Sequence, residues 1–181
     1  MTVFTEHLAE SNRDLWMAMA DHPFVLGLAD GTLPDALLAD LDRGLVLEAD
    51  AFTRTAAEHG FAPEVEPWPV CLGYSSYLRC AAYDGVLEGL TALYAAERAY
   101  LDTWTAVAER SPADSPYHAW IQNWTGEPFR AFVTSLGRGL DELAGAPSPA
   151  LAQRLGVLFA RAARFELAFW EMCWSGQAWP G

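Results

Sequence analysis

Three stretches of this chain repeat apolar residues at intervals of three and four, the spacing that places side chains on one face of an α-helix. They cover residues 34–59, 86–110 and 149–174. β-branched residues are sparse beside many Ala and Leu, and no long segment alternates apolar and polar residues with a period of two. The sequence therefore predicts an all-α fold.

Helix start signals divide the rest of the chain. Thr32, Ser115, Thr125 and Ser148 each precede a proline by one to three residues, and we interpret them as N-caps. The segment 61–69 holds three prolines and is predicted as a loop. The predicted helices lie near 3–20, 34–59, 70–83, 86–110, 116–124, 126–144 and 149–174. With 181 residues, 52% of them hydrophobic, we expect one helical-bundle domain over residues 1–181.

The charge balance excludes several classes of partner. The net charge is -13 and Lys and Arg total 11, which disfavours binding to nucleic acids or to anionic membranes. No stretch of about 18 uncharged apolar residues is present, and the N-terminus is polar and acidic, so we expect a cytoplasmic protein. Cys71, Cys80 and Cys173 show no CxxC spacing and are interpreted as buried thiols.

Glu166 stands out because it lies within "RFELAFWEMCW", on an otherwise apolar helix face. Stripping water from an ionised carboxylate costs several kcal/mol unless the group is paired or takes up a proton. The other members of this predicted stripe are Leu155, Phe159, Ala162, Phe169 and Cys173.

Two other predicted helices carry an inward carboxylate in the same way. Glu97 shares a stripe with Leu90, Tyr94, Leu101 and Trp104, and Glu48 shares one with Leu38, Leu41, Leu45 and Phe52. One explanation is pairing with Arg54, Arg98 or Arg164. The other is a polar cavity, in which neighbouring acids raise each other's pKa and serve as general acid and base.

Aromatic residues are expected to surround these stripes. A helical core alone accounts for any one of them, but together they also suit the binding of a flat heterocycle. The candidates are Tyr74, Tyr77, Tyr94, Tyr100, Trp124, Phe165, Phe169 and Trp170.

Four strings resemble, in order, motifs of the TenA family, the thiaminase II or aminopyrimidine aminohydrolase proteins of thiamin salvage. They are "HPFVLGLADGTLP" (22–34), "YSSYLR" (74–79), "YHAWIQNWTGEPF" (117–129) and "FELAFWEMCW" (165–174). The resemblance implies a haem-oxygenase-like helical fold and a homo-oligomer, dimer or tetramer. It also implies hydrolysis of a 4-amino-5-substituted-methyl-2-methylpyrimidine to the hydroxymethylpyrimidine.

By resemblance, Glu166 matches the glutamate that holds the aminopyrimidine, and Tyr74 matches a tyrosine that lines the ring. Trp124 stands where an active-site tyrosine is usual. Glu97 occupies the position of the nucleophilic cysteine, which indicates the glutamate-type branch that lacks this cysteine.

The chain departs from the family pattern in two places. Leu45 occupies the position of the catalytic aspartate, and Glu48, one turn later, is the nearest inward acid. The segment between Phe52 and Tyr74 is too short for the two additional helices usual there, so the middle of the chain is shortened.

The resemblance and the stripes together favour metal-free hydrolysis by Glu97, Glu166 and Glu48, with no cofactor. The alternative is a non-catalytic protein that binds a pyrimidine or another flat ligand in the same cavity. A carboxylate-bridged metal site is disfavoured, because no Glu-x-x-His pair occurs in the sequence.

Overall fold

The computed structural model describes residues 3–32 and 66–177 together with Trp179, and helices account for most of them. No strand occurs in this part of the chain, and the predicted all-α fold is confirmed. None of these helices is long and apolar enough to cross a membrane. The helices are α1 (Phe4–Ser11), α2 (Arg13–Ala20), α3 (Pro23–Asp30), α4 (Pro69–Asp84), α5 (Val86–Arg110), α6 (His118–Thr125), α7 (Glu127–Ala144) and α8 (Pro149–Ser175).

The N-terminal region differs from the prediction in two ways. The helix expected over 3–20 is divided at Asn12, whose side chain donates to the backbone oxygen of Leu8 at 2.8 Å. The helix α3 was not predicted. His22 caps it by accepting from the backbone N–H of Phe24, and Gly31 ends it in the left-handed conformation at φ 68°.

The caps further along the chain were predicted with mixed success. The Ser148 hydroxyl accepts from the backbone N–H of Leu151 at 3.3 Å, which confirms this N-cap. Thr125 as an N-cap was wrong: it is the last residue of α6 and donates to the oxygen of Ile121, so Gly126 caps α7. Ser115 as an N-cap was also wrong: it accepts from the N–H of Tyr117 in the preceding turn, and Tyr117 is the N-cap of α6.

The long helix α5 lies at the centre of the described bundle and contacts α2, α3, α4, α6, α7 and α8. The helix α8 packs on α5 and α4. Its predicted apolar stripe is confirmed, since all six members are buried: Leu155, Phe159, Ala162, Glu166, Phe169 and Cys173. The arrangement turns the middle of α8 toward α4 and α5, and this junction positions the candidate site.

Several predictions fall outside the described residues. They are the helix over 34–59 with Leu45 and Glu48, the pairing candidate Arg54, and the loop up to residue 65. Residues 66–68 are irregular, and α4 begins directly after them at Pro69.

Candidate active site

Glu166 is buried in the middle of α8, with 5% of its surface exposed. Its Oε1 atom accepts a hydrogen bond of 2.6 Å from the hydroxyl of Tyr74 on α4. Its Oε2 atom is also buried and has no hydrogen-bond partner among the described residues. One oxygen of the carboxyl is thus oriented by the protein, and the other retains its capacity to bind a ligand.

The protonation of Glu166 is shifted by its surroundings. Burial raises the pKa of the Glu166 carboxyl to about 8, the Tyr74 bond opposes this rise, and the nearby charge of Glu97 adds to it. Burial and the charges of both glutamates also raise the pKa of the Tyr74 hydroxyl well above its usual range. At neutral pH, Glu166 therefore carries a proton and Tyr74 remains a donor.

Glu97 lies half-buried on α5, and its charge affects both members of the Tyr74–Glu166 pair. The two glutamates expected to meet are thus close enough to influence each other electrostatically. The effect of Glu97 on this pair is to favour the neutral form of Glu166.

Aromatic rings line the junction of α4 and α8 beside this group. Phe165 stacks on Tyr74 with ring centroids 5.1 Å apart and planes 5° apart. Phe165 also stacks on Tyr77, at 5.4 Å and 27°. The structure therefore brings Tyr74, Tyr77 and Phe165 together at Glu166, as three of the predicted aromatic site residues.

A second aromatic cluster lies about one turn beyond the glutamates along α5 and α8. Tyr100, three residues after Glu97, stacks on Trp170 at 5.7 Å and meets the edge of Trp124 at 4.9 Å. Phe169, three residues after Glu166, packs edge-on against Trp170 at 5.3 Å. The cluster joins Tyr100, Trp124 and Phe169 of the predicted set, and it extends from the glutamate region into the core.

Tyr94 lies at the contact of α5 with α7. Its ring packs on Phe159, with centroids 6.2 Å apart, and its hydroxyl accepts from Arg98 at 3.2 Å. A Cβ atom added to Gly137 would stand 2.9 Å from the Tyr94 ring. Tyr94 therefore packs between α5 and α7, and its role in ligand binding stays a prediction.

Two of the arginines considered as partners, Arg98 and Arg164, are described. The Nε atom of Arg98 donates to Asp102 at 2.6 Å, and Asp102 also accepts from the indole of Trp16 at 3.0 Å. Arg164 is exposed. Within the described ranges Glu166 forms no ion pair, so arginine pairing there does not explain its burial.

One contact of the site was missed by the sequence reasoning. The guanidinium carbon of Arg161 lies 5.9 Å from the centroid of the Tyr77 ring, within the range of a cation–π interaction. The signal was present in the sequence, since Arg161 precedes Phe165 by four residues and therefore shares its face of α8.

Neither the two cysteines of α4, Cys71 and Cys80, nor the described acids point to another chemistry. The prediction of three buried thiols was right only for Cys173, because Cys80 is exposed and Cys71 is partly exposed. The Cys71 thiol lies 3.6 Å from the sulfur of Met172, and burial raises its pKa to about 11. At neutral pH Cys71 therefore remains a protonated thiol, which is a poor nucleophile. In residues 3–32 and 66–177, no group of three or more His, Cys, Asp or Glu is arranged to hold a metal ion.

Comparisons with known proteins agree with one another. The model of the TENA/THI-4/PQQC family matches residues 58–176. A relative named aminopyrimidine aminohydrolase from Halalkalibacterium halodurans is 24% identical over 97% of both chains. One of the same name from Bacillus subtilis is 23% identical over 97% of this chain and 92% of its own.

The fold also matches a solved structure. That of a TenA homologue from Pyrococcus furiosus superimposes with a TM-score of 0.83 and 26% identity, over 94% of this chain and 99% of that one. The alignment with the H. halodurans relative runs over 218 positions, more than the 181 residues of this chain. The relative thus contains residues that have no counterpart here.

Proposed function

Because the chain belongs to the TENA/THI-4/PQQC family, we propose that it is a hydrolase acting on an aminopyrimidine, the substrate class in the names of two relatives. One observation carries the proposal. The buried Glu166 carboxyl is oriented through Oε1 by Tyr74, retains an unpartnered Oε2, and lies under the influence of Glu97. Such a group is suited to a ligand that both donates and accepts hydrogen bonds.

The recognition step uses the proton on Glu166. A protonated carboxyl donates to a ring nitrogen from one oxygen, and accepts from the adjacent exocyclic amine with the other. An aminopyrimidine offers this acceptor and donor side by side. Tyr74 holds the carboxyl in one orientation, so that less conformational freedom is lost when the ring binds.

The hydrolytic step uses Glu97. Its carboxylate takes a proton from water as the water oxygen attacks the exocyclic methylene, and the bond from this carbon to the leaving nitrogen breaks. Glu166 gives its one proton to the leaving nitrogen, which departs as the neutral amine, and the proton gained by Glu97 then passes through water to Glu166 to restore both groups. A transient bond between Glu97 and the methylene carbon, later broken by water, is the covalent form of the same reaction. Either course proceeds without a metal.

The aromatic clusters are proposed to bind the ring and to exclude water. Phe165 and Tyr74 form the wall next to Glu166, and Tyr100, Trp124 and Phe169 are buried one turn away. A site with little water strengthens the electrostatic effect of each carboxyl on the reaction. Tyr77 lies at the same junction and stacks on Phe165.

Several finer points belong to the same proposal. We propose that Glu97 takes the position of the nucleophile, as in the glutamate-type branch, and that Glu48, outside the described residues, is the third acid. Salvage of thiamin breakdown products, a homo-oligomeric assembly and a cytoplasmic location are expected to accompany this activity.

The experiment is incubation of the protein with 4-amino-5-aminomethyl-2-methylpyrimidine, its formylated derivative and thiamin, with products separated by chromatography. Release of the hydroxymethylpyrimidine supports the proposal. Calorimetric binding of these compounds without any product overturns it in favour of the non-catalytic binding protein. If the compounds are neither bound nor converted, both the hydrolase and the binding protein are rejected.

A further inference from the structure

Tyr77 lies beside the glutamate site, but its polar group is committed to the neighbouring helix. The Tyr77 hydroxyl donates to the backbone oxygen of Leu158 on α8 at 2.6 Å. The guanidinium of Arg161, also on α8, lies over the Tyr77 ring. Burial raises the pKa of Tyr77 to about 12, so the hydroxyl remains a donor at all physiological pH values. Tyr77 therefore fastens α4 to α8.

Phe165 connects Tyr77 with Tyr74, because it stacks on both rings. Tyr74 and Tyr77 are three residues apart on α4 and so share a face of that helix. Leu158 and Phe165 are seven residues apart on α8 and likewise share a face. Two hydrogen bonds from tyrosine hydroxyls thus join α4 to α8, one from Tyr74 and one from Tyr77. The Phe165 ring lies between the two tyrosines and contacts both.

We infer that Tyr77 is a positioning residue of the glutamate site, which acts through Phe165 to hold the Tyr74 hydroxyl within hydrogen-bond reach of Glu166. The inference rests on the proposed function for the role of Glu166, and it adds a residue that works without touching the substrate. Its physical basis is that packed rings resist rotation, so an anchored Tyr77 restricts the positions open to Phe165 and Tyr74.

The variant Tyr77→Phe isolates the anchor, because it keeps the ring and removes only the hydroxyl. The Leu158 carbonyl remains inside the hydrogen-bonded α8, so the fold is expected to survive. The Tyr74 bond lowers the pKa of Glu166, and loosening it raises this pKa. We expect the titration midpoint of Glu166, followed by carbon-13 NMR of labelled glutamate, to move to higher pH. We also expect kcat to fall about tenfold with KM nearly unchanged.

A double-mutant cycle tests whether Tyr77 works through Tyr74. In a Tyr74→Phe background the hydroxyl that Tyr77 positions is gone, so adding Tyr77→Phe is expected to change neither the Glu166 midpoint nor kcat any further. Tyr83→Phe makes the same chemical change on α4 at a residue that is 90% exposed, and serves as the matched control.

An unchanged Glu166 midpoint in Tyr77→Phe overturns the inference, and so do equal effects of this substitution in both backgrounds. The NMR titration needs no turnover, which separates the two proposals. Normal turnover with an unmoved midpoint in Tyr77→Phe rejects the positioning role alone. A moved midpoint in a protein that converts none of the aminopyrimidines rejects the hydrolase alone.

Discussion

Two glutamates in this bundle are almost equally buried and yet differ in their surroundings. Glu88, in the first turn of α5, is 7% exposed and pairs with Arg154 at 2.6 Å. Glu166 is 5% exposed, and it meets the neutral hydroxyl of Tyr74 and the charge of a second acid. Burial alone therefore does not identify a reactive carboxyl; its partners do. A buried site beside another acid favours the neutral form of a carboxyl.

The largest expected effect concerns activity. Glu166→Gln and Glu97→Gln each remove an ionisable group while preserving size, and we expect each to lower kcat/KM about 10³-fold, since a positioned acid or base contributes on that scale. Circular dichroism should show the fold retained. Glu88→Gln is the matched control, a like change at a buried glutamate with an arginine partner, and should leave turnover close to that of the native chain. Activity retained by either site variant would refute the assignment.

The next effect concerns stability against pH. The Glu166 pKa is raised from 4.5 to about 8, so between these values the folded state holds a proton that the unfolded chain releases. The protonated Glu166 stabilises the folded state fully below pH 4.5, and this stabilisation is lost as the pH rises to about 8. The total loss is on the order of a few kcal/mol in the free energy of unfolding. Glu166→Gln should flatten this decline in urea titrations at successive pH values. An equally steep decline in the variant would contradict the raised pKa.

Removal of the Tyr74 hydroxyl should have an intermediate effect. Tyr74→Phe deletes the bond that orients Glu166 and lowers its pKa, so we expect the Glu166 midpoint to move above about 8. We expect kcat/KM to fall about ten- to hundredfold, because the carboxyl loses its fixed orientation. The measurement is the pH–rate profile. An inflection that stays in place would show that Tyr74 does not set the protonation of Glu166.

The smallest effect is expected at the arginine-paired acid. Glu88→Gln breaks an ion pair in which Arg154 is 59% exposed, and solvent screening limits the loss to about 1 kcal/mol in the free energy of unfolding. Urea denaturation with and without 0.5 M salt measures it, and the difference between variant and native chain should shrink in salt. A salt-independent loss would mean that packing, and not charge, is what Glu88 provides.

Much of the helical framework could be predicted from local patterns. The bounds of α4, α5, α7 and α8 follow the periodicity and caps to within one residue. The break at Asn12 and the short α3 were not predicted, because an eight-residue helix presents too few turns for periodicity to reveal. The signals at α3 were His22 ahead of Pro23 and the later Gly31, which are a cap, a first-turn proline and a C-terminal glycine.

Periodicity alone predicts the candidate site only coarsely, as Tyr94 and Glu97 illustrate. Tyr94 and Glu97 fall on one broad stripe of α5, since residues three apart lie about 60° from each other around the helix axis. In the bundle this angle separates two environments: Tyr94 faces α7, and Glu97 influences the pair formed by α4 and α8. Periodicity identifies the buried face of a helix, but it does not show that two residues of that face, such as Tyr94 and Glu97, contact different helices.

The sequence by itself determined the helical class and the inward direction of Glu166, because both depend on spacings within one helix. Only the tertiary structure decided that Glu88 pairs with Arg154 and that Glu166 accepts from Tyr74. It also decided which aromatic rings meet at the junction of α4 and α8. These choices depend on side chains brought together from distant segments, and a carboxyl's pKa depends on those distances. The chemistry proposed for Glu166 is thus a property of how three helices pack.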